Sequence, residues 1–270
     1  MNELSRPGGK RLAVLIGPGD PPVFEVLNPD GGAPLVLVAD HASPAVPAAL
    51  DGLGLDDGYF ERHIAYDIGA ASVTRLLAAQ LDAPAVLAGY SRLVIDVNRP
   101  PGHPESIPEA SDGSKIPGNM GLGEEAQKQR VEMLFEPYHD AIHESLAHLW
   151  RRGKPPALFS IHSFTPDYSD EDRPWDVGVL WNRDPRIARP LIERLGAHGL
   201  NVGDNLPYSG QELAYTINLH GTAAGLPNCV VEINQDQVSD GEGIERWAGI
   251  LAEVMAGILQ LDGIHEVREY

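Results

Sequence analysis

Six short, mostly apolar runs punctuate this chain, and four of them hand over abruptly to a charged, amide or imidazole side chain. "PLVLVAD" (34–40) runs into His41, "RLVIDVN" (92–98) into Arg99, "ALFSIH" (157–162) ends in His162, and "NCVVEIN" (228–234) contains Glu232. "PAVLAGY" (84–90) and "DVGVLW" (176–181) complete the set. Runs of this length read as buried strands, and longer helical patterns lie between them. The alternation predicts one α/β domain over residues 1–270, with a mostly parallel or mixed central sheet and helices on both faces.

The helical patterns can be placed. Residues 56–81 carry Phe60, Ile64, Ile68 and Leu76 at helical spacing, with Asp56 or Asp57 as N-cap. A long helix is expected from Glu124 to Trp150, with Val131, Leu134, Tyr138, Ile142 and Leu149 as its apolar stripe. Pro137 should kink it or split it. A helix capped by Asp184 and a final helix from Gly243 to Leu261 follow. The Pro/Gly-rich stretch 100–123 is long for a loop in a compact domain, and such loops are usually functional or mobile. Residues 1–22 are expected to form a peripheral N-terminal segment.

Charge narrows the partners. With 39 acidic residues against 20 Lys plus Arg, the net charge of −19 repels nucleic acid and anionic membranes. An anionic substrate would need a local arginine. The single cysteine, Cys229, cannot make an intramolecular disulfide, which points to a reducing, cytoplasmic setting. No run approaches the ~18–20 apolar residues that span a bilayer. The expected partner is a small molecule.

In an open parallel sheet, ligands collect beyond the carboxyl ends of the strands. Those ends carry Asp40 and His41; Asp96, Asn98 and Arg99; His162; and Glu232, with Asn234 and Asp236 beyond it. Two imidazoles, a carboxylate and a water make the usual open zinc site for hydrolysis, with a free carboxylate to take the proton. Bland alternatives exist for most of these residues: a strand-end histidine held only by hydrogen bonds, Asp40 and Asp96 as turn caps, Arg99 at the surface. Glu232 resists that treatment, because an acid between Val231 and Ile233 is costly to bury unless it is paired or beside a metal.

A rival site lies in "YHDAIHESL", where His139 and His143 share a helix face and Asp140 follows the first. It approaches the HExxH zinc pattern, but Asp for Glu shortens the base by a methylene. An amphipathic helix with a polar face is the plainer reading. There is no G-x-S-x-G elbow, no G-x-G-x-x-G after a strand and no P-loop, so serine catalysis and nucleotide chemistry lack support. Cys229 has no reactive context.

The stretches "ADHASPAVP", "HIAYDIGA", "YSRLVIDVNRP", "IPGN", "PYHDAI", "SIHSFTP", "RPWDVGVLW", "VGDNLPYSG", "LHGTAAGLPN" and "VEINQD", in this order, resemble the N-formylglutamate amidohydrolase family. The resemblance implies a zinc-carboxypeptidase-like fold and metal-dependent hydrolysis of an N-formyl or N-acyl amino acid, N-formyl-L-glutamate first. It implies one Zn2+, or another divalent ion, held by His41 and His162. Glu232 would be the general base, and Asn98 with Arg99 would grip the substrate carboxylate. The related carboxypeptidases place a glutamate ligand three residues after the first histidine, where this chain has Pro44. The third ligand is therefore expected to be Asp67, on the helix that follows, with Asp40 as the alternative. Arg92 is expected to stabilise the oxyanion, and Tyr215 or His220 to line the pocket. Two other activities stay open at this point: a metallocarboxypeptidase or amidase acting on a peptide or cell-wall fragment, and a metal-free binding protein.

Overall fold

The computed structural model describes residues 15–166 and 173–270. Seven strands form one mixed sheet: β1 (Phe24–Leu27), β2 (Leu35–Ala39), β3 (Ala85–Ala88), β6 (Ala157–Phe164), β7 (Val177–Leu180), β8 (Val202–Asp204) and β9 (Asn228–Asn234). A two-stranded ribbon, β4 (Ala110–Ser111) and β5 (Ser114–Lys115), stands apart in the long loop. The sheet order is β1-β3-β2-β6-β9-β7-β8. β3, β2, β6 and β9 run parallel, whereas β1 pairs antiparallel with β3, and β7 antiparallel with β9.

Every residue of β2 and β6 is buried, so both sheet faces must be covered. The two-residue period of a strand sorts them. Leu35, Leu37, Phe159, Ile161, Val231 and Ile233 face a layer built from α1 (Ala70–Leu81), α4 (Pro185–Ala197) and α6 (Gly241–Ile258). Val36, Val38, Leu158 and Val230 face α3 (Glu136–Arg152) and α5 (Tyr215–His220), together with the buried turns of residues 90–97. The expectation of one domain with helices on both faces matches this architecture. Residues 1–14 of the expected peripheral segment lie outside the described residues. From Leu15, which is buried, the chain joins the second core. Among the described residues, no helix is long and apolar enough to cross a membrane.

Two expected elements differ because backbone groups find partners other than a regular ladder, and the long helix is divided next to Pro137, as the sequence predicts. The helix expected over 56–81 begins only at Ala70. Before it, the Asp67 amide donates to the His41 carbonyl (2.9 Å), and Gly69 takes φ +80 with Val238 packed against it. A Cβ on Gly69 would lie 2.5 Å from the Val238 carbonyl oxygen. Asp67 therefore sits on the turn ahead of α1 rather than on the helix.

The run 92–98 is buried but is not a strand. Arg130 and Asn119 donate to the Val94 and Leu93 carbonyls, and the Asp96 amide donates to Ser106, which leaves no ladder to form. The long helix is divided into α2 (Glu124–Arg130), a π-helical turn (Val131–Phe135) and α3, with Pro137 in the first turn of α3. Its apolar stripe lies as expected, against the sheet. The edge strands β1 and β8 and the short α5 carried no periodic signal long enough to read.

The late start of α1 also shifts its buried face. Leu77 is fully buried while Leu76 is only half-buried. Leu77→Ala is expected to cost about 2–5 kcal/mol of unfolding free energy, and Leu76→Ala clearly less, by denaturant titration of both variants.

Candidate active site

The carboxyl ends of β2, β6 and β9 meet at one edge of the sheet. β2 hands over to Asp40 and His41, and on the adjacent strands His162 and Glu232 are register partners. The turn before α1 brings Asp67 across from one side, and the turns of residues 91–99 bring Arg92, Asp96, Asn98 and Arg99 from the other. His41, Asp67, Arg92, Asp96, Asn98, Arg99, His162 and Glu232 line one cavity of about 400 Å³.

At its floor a carboxylate sits between two imidazoles. Asp67 Oδ2 lies 2.7 Å from His162 Nδ1 and 3.4 Å from His41 Nδ1. The far nitrogen of each ring meets another carboxylate: His162 Nε2 to Asp40 Oδ2 at 2.9 Å, and His41 Nε2 to Asp96 Oδ1 at 2.7 Å. Arg92 spans the group, with Nη1 donating to Asp67 (3.2 Å) and Nη2 to Asp96 (3.4 Å).

Asp40 does not compete with Asp67 for the centre of this cluster. Its oxygens also accept from Tyr138 Oη (3.0 Å), Thr216 Oγ1 (2.7 Å) and Ser160 Oγ (3.2 Å). It is turned away behind His162. Burial by itself would raise the Asp40 carboxyl, but the hydrogen bond and charge of His162, with Thr216, hold it down to about 2.

One nitrogen from each of His41 and His162 and a carboxylate oxygen of Asp67 lie within 4.8 Å of one another, and this trio could hold a metal ion. The donor set fits a divalent cation, and the far nitrogens are backed by carboxylates, as metal-bound histidines usually are. The electrostatics agree. Four buried carboxylates crowd this point, and despite their burial both imidazoles are pushed toward the charged form. The cluster calls for positive charge at this point. Glu232, buried beside it, is pushed up to about 7, mostly by burial and further by Asp67.

Arg99 and Asn98 face the same cavity. Arg99 Nη1 donates to the Asn98 carbonyl (3.2 Å), and its Nε, 3.5 Å from the exposed Glu105 carboxylate, has no hydrogen-bond partner among the described residues. The Asn98 amide braces the loop, accepting from the Thr216 N–H (3.0 Å) and donating to Leu213 (3.5 Å).

Tyr215 and His220 are not among the cavity residues. They sit on α5 and pack against α3: the Tyr215 ring is 5.7 Å from His139, and His220 Nε2 is 2.8 Å from His139 Nδ1. The rival helical site dissolves for the same reason. His139 is buried against His220 and the Val97 carbonyl (2.9 Å), while His143 is exposed. Sequence reasoning also missed Tyr208, Ser163 and Gln235 on the cavity wall. None ends an apolar run in a recognisable way, although all three lie inside quoted stretches, Ser163 in "SIHSFTP", Tyr208 in "VGDNLPYSG" and Gln235 in "VEINQD".

The sequence matches the family model described as N-formylglutamate amidohydrolase over residues 33–239. Among solved structures, a gene product of Agrobacterium tumefaciens is 33% identical with a TM-score of 0.88; the match covers 91% of this chain and 98% of that one. An N-formylglutamate amidohydrolase from Ralstonia eutropha is 19% identical with a TM-score of 0.63, covering 88% of this chain and 97% of that one, and shares the fold. No curated protein matches the sequence.

The His139–His220 pair makes a prediction of its own. Because the Val97 carbonyl only accepts, His139 carries its proton on Nε2 and, when neutral, accepts at Nδ1 from His220. Burial first, and then His139, hold His220 down to about 4, and burial also lowers His139. A pKa depressed in the folded state gives stability that is present above the unfolded value, about 6.5, and is lost as pH falls toward the folded one. Unfolding free energy should therefore decline between about pH 6.5 and 4, and His220→Gln should flatten that decline; equal slopes for the two proteins would contradict it.

Proposed function

Since the chain belongs to the N-formylglutamate amidohydrolase family, we propose that it hydrolyses the amide bond of an N-formyl or other N-acyl amino acid in a metal-dependent reaction, with N-formyl-L-glutamate the first compound to test. The observation that carries this reading is the convergence of His41, Asp67 and His162 beside a buried glutamate and a cavity-facing arginine.

His41, Asp67 and His162 would hold the metal. When bound, a zinc or similar divalent ion supplies a polarised acyl carbonyl and a more acidic water. With the imidazoles neutral, as metal ligands are, Asp40 and Asp96 would each take the Nε2–H of one ring and leave both Nδ1 lone pairs facing Asp67. Arg92 holds Asp67 and Asp96 in place and keeps positive charge on the cavity wall.

Glu232 takes the proton of the attacking water on its carboxylate and returns it to the departing amine. A carboxylate pushed up to about 7 suits both halves of that transfer. Arg99, whose Nε has no hydrogen-bond partner among the described residues and lies near the exposed Glu105, grips the substrate's α-carboxylate. Asn98 fixes the loop that presents it.

Purified protein supplied with zinc should release formate or another acid from a panel of N-formyl and N-acyl amino acids, and small peptides in the same panel would expose a peptidase instead. Acid release from no member would sink the reading. Glu232→Gln is expected to lower kcat by at least about 10²-fold while zinc stays bound. Asp40→Asn should weaken zinc affinity by about 10–100-fold, measured by competition with a chelating dye; unchanged affinity would remove Asp40 from the support of the site.

A further inference from the structure

As water adds to an acyl carbon, the carbonyl oxygen gains negative charge and needs a donor already in place. Arg92 faces the cavity, but its two terminal nitrogens are each engaged with a carboxylate. Tyr208 lines the same cavity as Glu232 and His162.

The loop that carries Tyr208 is built to a narrow tolerance. Its Leu206 carbonyl approaches the sheet so closely that a Cβ on Gly178 of β7 or Gly203 of β8 would lie 2.2 or 2.5 Å from it. Asn205 takes φ +52 and donates its amide to Val179 (2.9 Å). Its side-chain oxygen accepts from the amides of Trp181 and Gly210, each at 3.0 Å. Residues 205–210 are thus pinned at several points to β7 and the turn after it.

The hydroxyl is aimed as well as placed. Buried Arg173 donates from Nη1 to Tyr208 Oη (2.8 Å) and to the Thr165 carbonyl (3.3 Å), and its guanidinium lies 4.9 Å from the Tyr208 ring centre. A guanidinium has no acceptor, so the phenol oxygen receives that bond and its own proton must point elsewhere. Tyr208 lines the cavity and Arg173 does not, so the proton that Arg173 turns away is free to meet a group bound there.

We propose that Tyr208 is a catalytic hydrogen-bond donor to the acyl carbonyl oxygen of the substrate, and that Arg173 is the positioning residue that aims its hydroxyl. The inference rests on the hydrolase reading above. In the step it serves, the water oxygen bonds to the acyl carbon and the carbonyl π pair moves onto oxygen. The Tyr208 O–H meets that charge without giving up its proton. When the C–N bond breaks, the pair returns and the amine departs with the proton held by Glu232.

Tyr208→Phe keeps the ring and its contact with Arg173 and removes only the hydroxyl. Its kcat should fall about 10²-fold with KM little changed. A phosphinic analogue with tetrahedral phosphorus in place of the acyl carbon should lose affinity by the same factor as kcat/KM. Binding of the product amino acid and of zinc should not move. Arg173→Met should act in the same direction with a smaller loss, and Arg173→Lys should recover part of it. If the wild type turns over the panel and Tyr208→Phe keeps kcat within about twofold, against the loss a donor should cause, or loses product and analogue affinity alike, Tyr208 is not that donor and the hydrolase reading stands. Absence of wild-type turnover would overturn both.

Discussion

One buried carboxylate organises the site. Asp67 lies between the Nδ1 atoms of His41 and His162 and is held from behind by Arg92. A charge in such a place is tolerated only if it is surrounded by opposite charge and hydrogen bonds. The neighbouring carboxylates Asp40 and Asp96 are satisfied in the same way, by hydroxyls, imidazoles and the second arm of Arg92. The remaining appetite for positive charge is what a divalent cation would meet.

The rest of the molecule reads as support for that edge. Parallel β2, β6 and β9 align His41, His162 and Glu232 because neighbouring parallel strands end at the same side of a sheet. The opposite wall has no ladder to hold it. Arg130, Asn119 and Asn98 take that role with side-chain hydrogen bonds to backbone, which lets residues 91–99 curl and present four polar side chains to the cavity. A strand continued through this run would set Arg92, Asp96 and Asn98 on one face and turn Arg99 to the other.

Much of this was legible in the order of residues. The apolar runs before His41, His162 and Glu232 announced strand ends, and the structure brings those three ends together. Asp67 was recognisable as a candidate, although its place on a helix was not correct. The helical period of residues 56–81 is real, but Gly69 and the hydrogen bond from Asp67 to His41 override it locally. His139 and His143 show the opposite failure. Their spacing is that of a metal pair, yet one is packed into α5 and the other faces solvent, because what surrounds a helix face is decided by its neighbours. Tyr208 had no local signal, since a loop residue gains its role from where the loop is pinned.

The sequence by itself determined the chemistry on offer, namely which side chains end which strands and in what order, because residue identity and apolar periodicity are local properties of a chain. Only the tertiary structure decided the pairings: Asp67 rather than Asp40 between the two imidazoles, Asp40 behind His162, Arg92 across two carboxylates, Tyr215 and His220 away from the cavity. Those choices join groups up to 122 positions apart. They follow from which buried charges can be neutralised together, and that balance exists only once the strands and turns have brought the groups into contact.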